Sequence, residues 1–311
     1  MISIIIPMFG RAVYISACLE SVLKQSYENI EVLCVMDGYS QEINKVLLKY
    51  SYDKRVKIFS IEHKCVAAAR NFGLLKALGE YIIFIDADDM LPEKAIEILY
   101  NSIVEKKADV VLGDYMEIFD SGKRLLFKTP SDECDDFNSY LESVTIWNRI
   151  FRADFLFENK LFFNEKYIGG DDRIFCADSF LANPKIFVIH EIVYYWLRHE
   201  NDKIESITHS RNVKNFENDL CMWNDFMDKM LEKWEWRLQD HMRYSCYYIL
   251  QRFLEVEHVP EKNKCFLQLK NLVLRINWTD NEDLFYSIFG MQKIDLIHVK
   301  NYDEFEILIN H

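Results

Sequence analysis

Residues 84–89 read Phe-Ile-Asp-Ala-Asp-Asp, which sets the carboxylates of Asp86, Asp88 and Asp89 within four residues, directly after an apolar run. Unpaired carboxylates this close repel and hold one another's protons more tightly, and a divalent cation relieves that. Hard oxygen ligands suit Mg2+ or Mn2+, ions that usually also take phosphate oxygens from a substrate. A solvated loop at a helix N-terminus is the plainer reading of such a cluster. Its place at the end of a buried strand favours the metal. A second acidic pair, Asp171-Asp172, follows Gly169-Gly170 and precedes a helical pattern from Arg173. A carboxylate fixed there can take a proton from a hydroxyl, and it can cap the helix as well.

The elements that must position these groups alternate along the first third of the chain. Ile2–Pro7, Ile30–Met36, Val56–Ser60, Tyr81–Ile85 and Asp109–Gly113 read as strands. Helical patterns separate them at Val13–Gln25, Gln41–Lys49, Ala67–Leu78 and from Pro92 to about Lys106, with Gly79 read as a C-cap. Strands that are apolar throughout, joined by helices of this length, mean βαβ units and a parallel sheet covered on both faces. Ligands of such sheets bind outside the carboxyl ends of the strands. That rim would carry Pro7, Met8 and Phe9 after the first strand, Asp37 after the second, Glu62 after the third and Asp86–Asp89 after the fourth. From about Tyr115 to Arg211 the pattern is less regular, with polar stretches at Asp120–Lys123 and Thr129–Asp136. Beyond Val213, apolar residues recur at helical spacing.

The 311 residues carry a formal net charge of −13. That disfavours a nucleic-acid binder, which needs a basic footprint on phosphate. There is no apolar run of about 20 residues to span a membrane, and the N-terminus lacks the basic and small-residue features of a signal peptide. The 8 cysteines form no CxxC pair, so a structural zinc site is disfavoured and reduced thiols in a cytoplasmic protein are expected.

Taken in order, SIIIPMFGR, LESVLKQSYENIEVL, VMDG and AAARNFGLLKALGEYIIFIDADD resemble the start of a family 2 glycosyltransferase of the GT-A fold, over about the first 120 residues. The resemblance implies a Rossmann-like, mostly parallel sheet flanked by helices, here followed by a C-terminal helical appendage. Residues 1–212 would form the catalytic domain, with 1–115 as the nucleotide-sugar half and 116–212 as the acceptor and catalytic-base half. Residues 213–311 would be the helical region. The implied activity is inverting, metal-assisted transfer of a hexosyl group from a UDP-sugar to an acceptor hydroxyl in bacterial surface polysaccharide synthesis. Pro7 and Phe9 would line the base pocket, Phe9 through its ring. Asp37 would hydrogen-bond the base, and Arg70 would lie near the base and phosphates. Asp86, Ala87 and Asp88 form the DxD motif, with Asp88 the foremost metal ligand. Two departures stand out. Phe9-Gly10 replaces the family's Tyr-Asn, and Met36-Asp37-Gly38-Tyr39 replaces Asp-Asp-Gly-Ser.

The resemblance also makes Asp172 the catalytic base, with Asp171 in the place of a glutamate and the alternative candidate. Trp147, in WNRIF, would lie near the donor sugar and acceptor or pack in the core, and at the end of a later strand His199 or Arg198 could reach the metal or diphosphate. The C-terminal Trp223, Trp234 and Trp236, with Met227 and Met230, are expected to serve packing or a homodimer face before a peripheral membrane contact. A glycan or lipid-linked glycan acceptor would bring the enzyme to the inner face of the cytoplasmic membrane. Two other functions compete. One is a non-catalytic nucleotide-sugar-binding protein. The other is a sugar-phosphate nucleotidyltransferase, disfavoured because PMFGRAVY has a single glycine where a triphosphate loop is needed.

Overall fold

The apolar runs become strands buried along their whole length. Every residue of β1 (Ile2–Met8) and of β2 (Ile30–Asp37) is buried. A strand covered on both faces shows no alternation of polar and apolar residues. β3 (Val56–Ile61) pairs with β2, and β4 (Tyr81–Phe84) with β1, all in parallel. α1 (Ala12–Leu23), α2 (Gln41–Leu47) and α3 (Val66–Lys76) make the crossovers, and α4 (Ala95–Lys106) follows β4. The carboxyl ends of these four strands therefore share one edge of the sheet.

The structure is a computed structural model and describes residues 1–129, 144–167, 169–199, 213–233, 235–254, 259–276, 278 and 282–309. The expected polar stretch at 129–136 falls, beyond Thr129, outside the described residues, as do Cys134, Ile168 and Trp234. So do the side chains of Met230 and Trp236.

The second half of the sheet departs from the simple alternation. β5 (Val110–Phe119) is twice the expected length, and β7 (Arg149–Arg152) inserts antiparallel between β4 and β5. β6 (Arg124–Phe127) pairs antiparallel with the far end of β5, while β8 (Ile186–Arg198) runs parallel along all of it. The order is β3-β2-β1-β4-β7-β5-β6, with β8 on β5. The fold is a mostly parallel sheet flanked by helices. Two more helices, α5 (Ala153–Glu158) and α6 (Asp171–Leu181), belong to this part.

The chain divides into two compact units. Met1–Lys166 with Asp171–Ile204 form the first, and Tyr167–Gly170 with Glu205–His311 the second. The second unit is helical: α7 (Val213–Lys233), α8 (Glu235–Leu254), α9 (Val259–Leu274), α10 (Glu282–Phe289), α11 (Lys293–His298) and α12 (Tyr302–Ile309). Trp223 and Met227 are buried within it. Among the described residues no helix is long and apolar enough to cross a membrane.

Two punctuation signals act differently from expectation. Pro92 does not open α4. It sits in the turn before, its carbonyl accepting from Ala95 N, while Gln25 Oε1 accepts from Ile96 N at 3.0 Å and supplies the missing cap. Gly79 is not a C-cap either. α3 stops at Lys76 and Ala77 is already extended. A Cβ on Gly79 would lie 2.5 Å from Ser3 N. Its small size lets the chain pass close to β1, where Gly79 N donates to Ser3 Oγ at 2.8 Å. Ser3 Oγ donates in turn to Glu31, which also accepts from Leu78 N at 2.6 Å and pairs with Lys57 at 2.6 Å. This buried polar knot ties β1, β2, β3 and the lead into β4 together at the end of the sheet opposite the site. Gly79→Ala is therefore expected to lower unfolding free energy by about 1–3 kcal/mol through overpacking. Urea denaturation measures it, and an unchanged midpoint would contradict the close approach.

Candidate active site

The acidic loop after β4 is held from behind by β8. Met90 and Tyr195 exchange backbone hydrogen bonds at 3.2 and 2.9 Å. Asp89 is only 3% exposed, and its carboxylate accepts from Tyr194 Oη at 2.7 Å and Leu197 N at 2.8 Å. Tyr194 Oη also accepts from Asp86 N at 3.2 Å. Burial pushes Asp89 well above the usual carboxylate range and the Tyr194 phenol well above its own. The third carboxylate of the cluster is thus a brace. Asp86 and Asp88 are left partly exposed at the rim. Trp147 is 6% exposed, stacked on Tyr194 at 4.2 Å and edge-on to Tyr115. It packs beneath the loop, so little of its ring is open to a sugar.

Arg70, on α3 and 4% exposed, gathers the carboxylates of both motifs. Nη2 donates to Asp86 Oδ1 at 2.8 Å, and Nη1 donates to Asp171 Oδ2 at 2.7 Å and Asp172 Oδ1 at 2.6 Å. The residue that the resemblance sets near base and phosphates is thus found joining the DxD loop to the start of α6. Its neighbour Asn71 ties down the segment ahead of that helix, donating to Phe163 O at 2.9 Å and accepting from Phe163 N at 2.8 Å. Burial, reinforced by Asp171 and Asp86 and opposed by Arg70, raises Asp172 to about 7. Burial raises Asp86 as well, against the pull of Arg70.

A second constellation lies at the ends of β1 and β2. Phe9 is 67% exposed, and its ring stacks on His63 at 4.7 Å with an interplanar angle of 8°. His63 Nδ1 lies 3.0 Å from Asp37 Oδ2, and Lys64 N donates to Asp37 Oδ1 at 2.7 Å. Pro7 is buried one step inside β1, and Met36 is buried in the core. One departure from the family pattern becomes clear here. Gly10 takes φ +61, a left-handed conformation that asparagine tolerates best after glycine. Gly38 takes φ +83, and a Cβ there would meet His63 Cβ at 2.9 Å. His63 is the residue that sequence reasoning missed. Its signal was present, one position beyond Glu62 at the rim of the third strand.

Asp88 pairs with Arg11 through one carboxylate oxygen. His199 Nε2 lies 3.1 Å from the Asp88 carbonyl oxygen, and its ring stacks on Tyr14 at 3.7 Å. In that contact Nε2 is a donor to a carbonyl, so it is not the nitrogen that would ligate a metal. Ala87 is half-buried between the two aspartates. Among the described residues no three His, Cys, Asp or Glu side chains converge as a metal cluster. The donor set nonetheless fits a hard cation that completes its shell with phosphate oxygens. Four carboxylates (Asp86, Asp88, Asp171 and Asp172) lie against two guanidiniums (Arg11 and Arg70).

A parallel sheet with an acidic loop on its carboxyl rim defines the GT-A class, and comparison with solved structures agrees. The crystal structure of Staphylococcus aureus TarS 1-349 in complex with UDP-GlcNAc superposes with a TM-score of 0.73 at 19% identity, covering 99% of this chain and 90% of that one. The model of glycosyl transferase family 2 matches residues 3–173, more than half of the chain, and the chain belongs to that family. Glycosyltransferase GlyG of Streptococcus pneumoniae is 32% identical over 217 residues, 64% of this chain and 71% of that protein. The poly(ribitol-phosphate) beta-glucosyltransferase of Bacillus spizizenii is 31% identical over 202 residues, 63% of this chain but only 32% of that protein.

Tyr194→Phe removes the hydroxyl that serves both Asp89 and Asp86 N. Leaving those buried groups short of a partner is expected to cost about 1–3 kcal/mol of stability. Chemical denaturation reads it, and a change within error would show that the hydroxyl does not brace the loop.

Proposed function

We propose that the protein transfers a hexosyl group from a UDP-sugar to a hydroxyl of a glycan or lipid-linked glycan, with inversion at the anomeric carbon. The observation that carries this reading is the Arg70 cluster. It sets a carboxylate raised to about 7, Asp172, beside a DxD loop on the strand-end rim. A base whose proton affinity sits near neutral pH is suited to take a proton from an attacking hydroxyl. Phe9 and His63 offer ring faces to a base, and Asp37 a carboxylate. A Mg2+ or Mn2+ held by Asp88 and Asp86 would stabilise the charge that develops on the leaving diphosphate.

Support for the donor comes from TarS, whose structure holds UDP-GlcNAc. Support for a cell-surface polymer as acceptor comes from the poly(ribitol-phosphate) glycosyltransferases among the relatives. A lipid-linked acceptor would bring the reaction to the inner face of the cytoplasmic membrane.

UDP release from a panel of UDP-sugars, with Mn2+ and with chelator, tests the reading. One donor is expected to be turned over in a metal-dependent way. A panel that is neither turned over nor bound would overturn it. Asp172→Asn should keep UDP affinity and lose at least about 100-fold in transfer, the usual weight of a general base. Transfer at the wild-type rate would move the base elsewhere. The wild-type pH profile follows from the same group. Asp172 is protonated and inactive below its pKa, so kcat/KM should fall on the acid side with a midpoint near 7. A flat profile from pH 8 to pH 5 (about two units below that midpoint) would exclude Asp172 as the base.

A further inference from the structure

Arg11 closes the stretch SIIIPMFGR without a role assigned to it above, yet it meets the DxD loop directly. Just past β1 come two consecutive left-handed residues, Gly10 at φ +61 and Arg11 at φ +46. An arginine adopts this conformation only at some cost. Here the turn carries its guanidinium to Asp88, 77 positions along the chain. Both groups remain partly exposed, with 20% and 26% of their side-chain surface open.

The consequence for a cation is specific. Arg11 engages Asp88 Oδ2 and Arg70 engages Asp86 Oδ1, so each carboxylate of the DxD pair already faces a positive charge. No third His, Cys, Asp or Glu joins them among the described residues. By itself the protein therefore offers a divalent ion two partly neutralised carboxylates, a weak site. A diphosphate changes the balance. Its oxygens match the planar fork of a guanidinium better than a single carboxylate oxygen does. They also supply the ligands that a cation lacks here.

We infer that Arg11 is a diphosphate-binding residue that exchanges Asp88 for the nucleotide, so that cation and nucleotide bind together and each binds poorly alone. This rests on the donor reading given above. It assigns Arg11 two effects of opposite sign. Against the free cation it is a competitor, and toward the diphosphate it is a ligand.

The test uses the full chain as wild type, Arg11→Gln and Arg11→Lys. Mn2+ binding is followed by electron paramagnetic resonance and UDP binding by calorimetry, each with and without the other partner. Arg11→Gln is expected to bind Mn2+ alone about fivefold more tightly, the upper range for a partly exposed ion pair. It should bind UDP in chelator about tenfold more weakly, as fits a lost charge-assisted contact. Arg11→Lys, which keeps the charge but not the fork, should lie between. A merely structural Arg11 would weaken both ligands or neither. Unchanged or weaker Mn2+ binding by Arg11→Gln, with UDP binding to the wild type intact, overturns the role of Arg11 and leaves the donor reading standing. A wild type that binds no UDP, with or without Mn2+, overturns the donor reading and this inference with it.

Discussion

One guanidinium holds the site together. Arg70 is buried, and three carboxylates from two distant stretches of chain close on it. Without that charge, Asp86, Asp171 and Asp172 would crowd a poorly solvated space and repel one another. Removing one partner of such a buried set typically costs about 3–5 kcal/mol. Arg70 reaches this position because α3 lies unusually close to the sheet. Ala67, Ala68 and Ala69 are buried, and a Cβ at Gly73 would lie 2.4 Å from Ile5 Cγ2. Small residues on one helix are thus the physical condition for a charge cluster on the rim. Lysine, a point charge without a planar fork, could not span the same three acceptors.

Around this centre, identical side chains take different fates. Asp89 is buried, doubly hydrogen-bonded and raised well above its usual range, and it braces the loop. Asp86, one turn away, shares Arg70 with the base-bearing helix. Asp88 faces outward to Arg11. Asp37 at the neighbouring strand end fixes the Lys64 backbone and touches His63. Chemistry is assigned by burial and partners, and residue type alone does not decide it.

The first half of the fold was legible because strands covered on both faces leave unbroken apolar runs, and helices between them leave no other topology. The DxD loop and the Asp171-Asp172 pair were legible because charge so dense beside a buried strand demands a reason. The rest depended on partners far away in sequence. Asp89 reads only as one more carboxylate of the acidic cluster until β8 returns more than 100 residues later to bury it. Trp147 reads as either core or a neighbour of the sugar, and its stacking on Tyr194 is invisible in the sequence. The antiparallel β7 is four residues long, too short for periodicity to show. Neither His63 nor Arg11 reveals its partner in the local sequence. They acquire meaning only when a turn delivers them to Asp37 and Asp88.

The knot of Ser3, Glu31, Lys57 and Gly79 lies far from this chemistry, yet it governs the alignment on which the chemistry rests. β4 has only four residues, and Asp86 follows it by two positions. A shift of one residue against β1 would carry the carboxylates about 3.3 Å along the strand and turn its side chains to the opposite face. That displacement exceeds the whole length of an Arg70–carboxylate hydrogen bond. A strand so short and so apolar has little of its own to forbid the slip. The buried Glu31 accepts from Leu78 N, on the backbone that leads into the correct pairing. The register of the sheet is therefore chosen at one end and used at the other, much as a lock's wards sit away from its bolt.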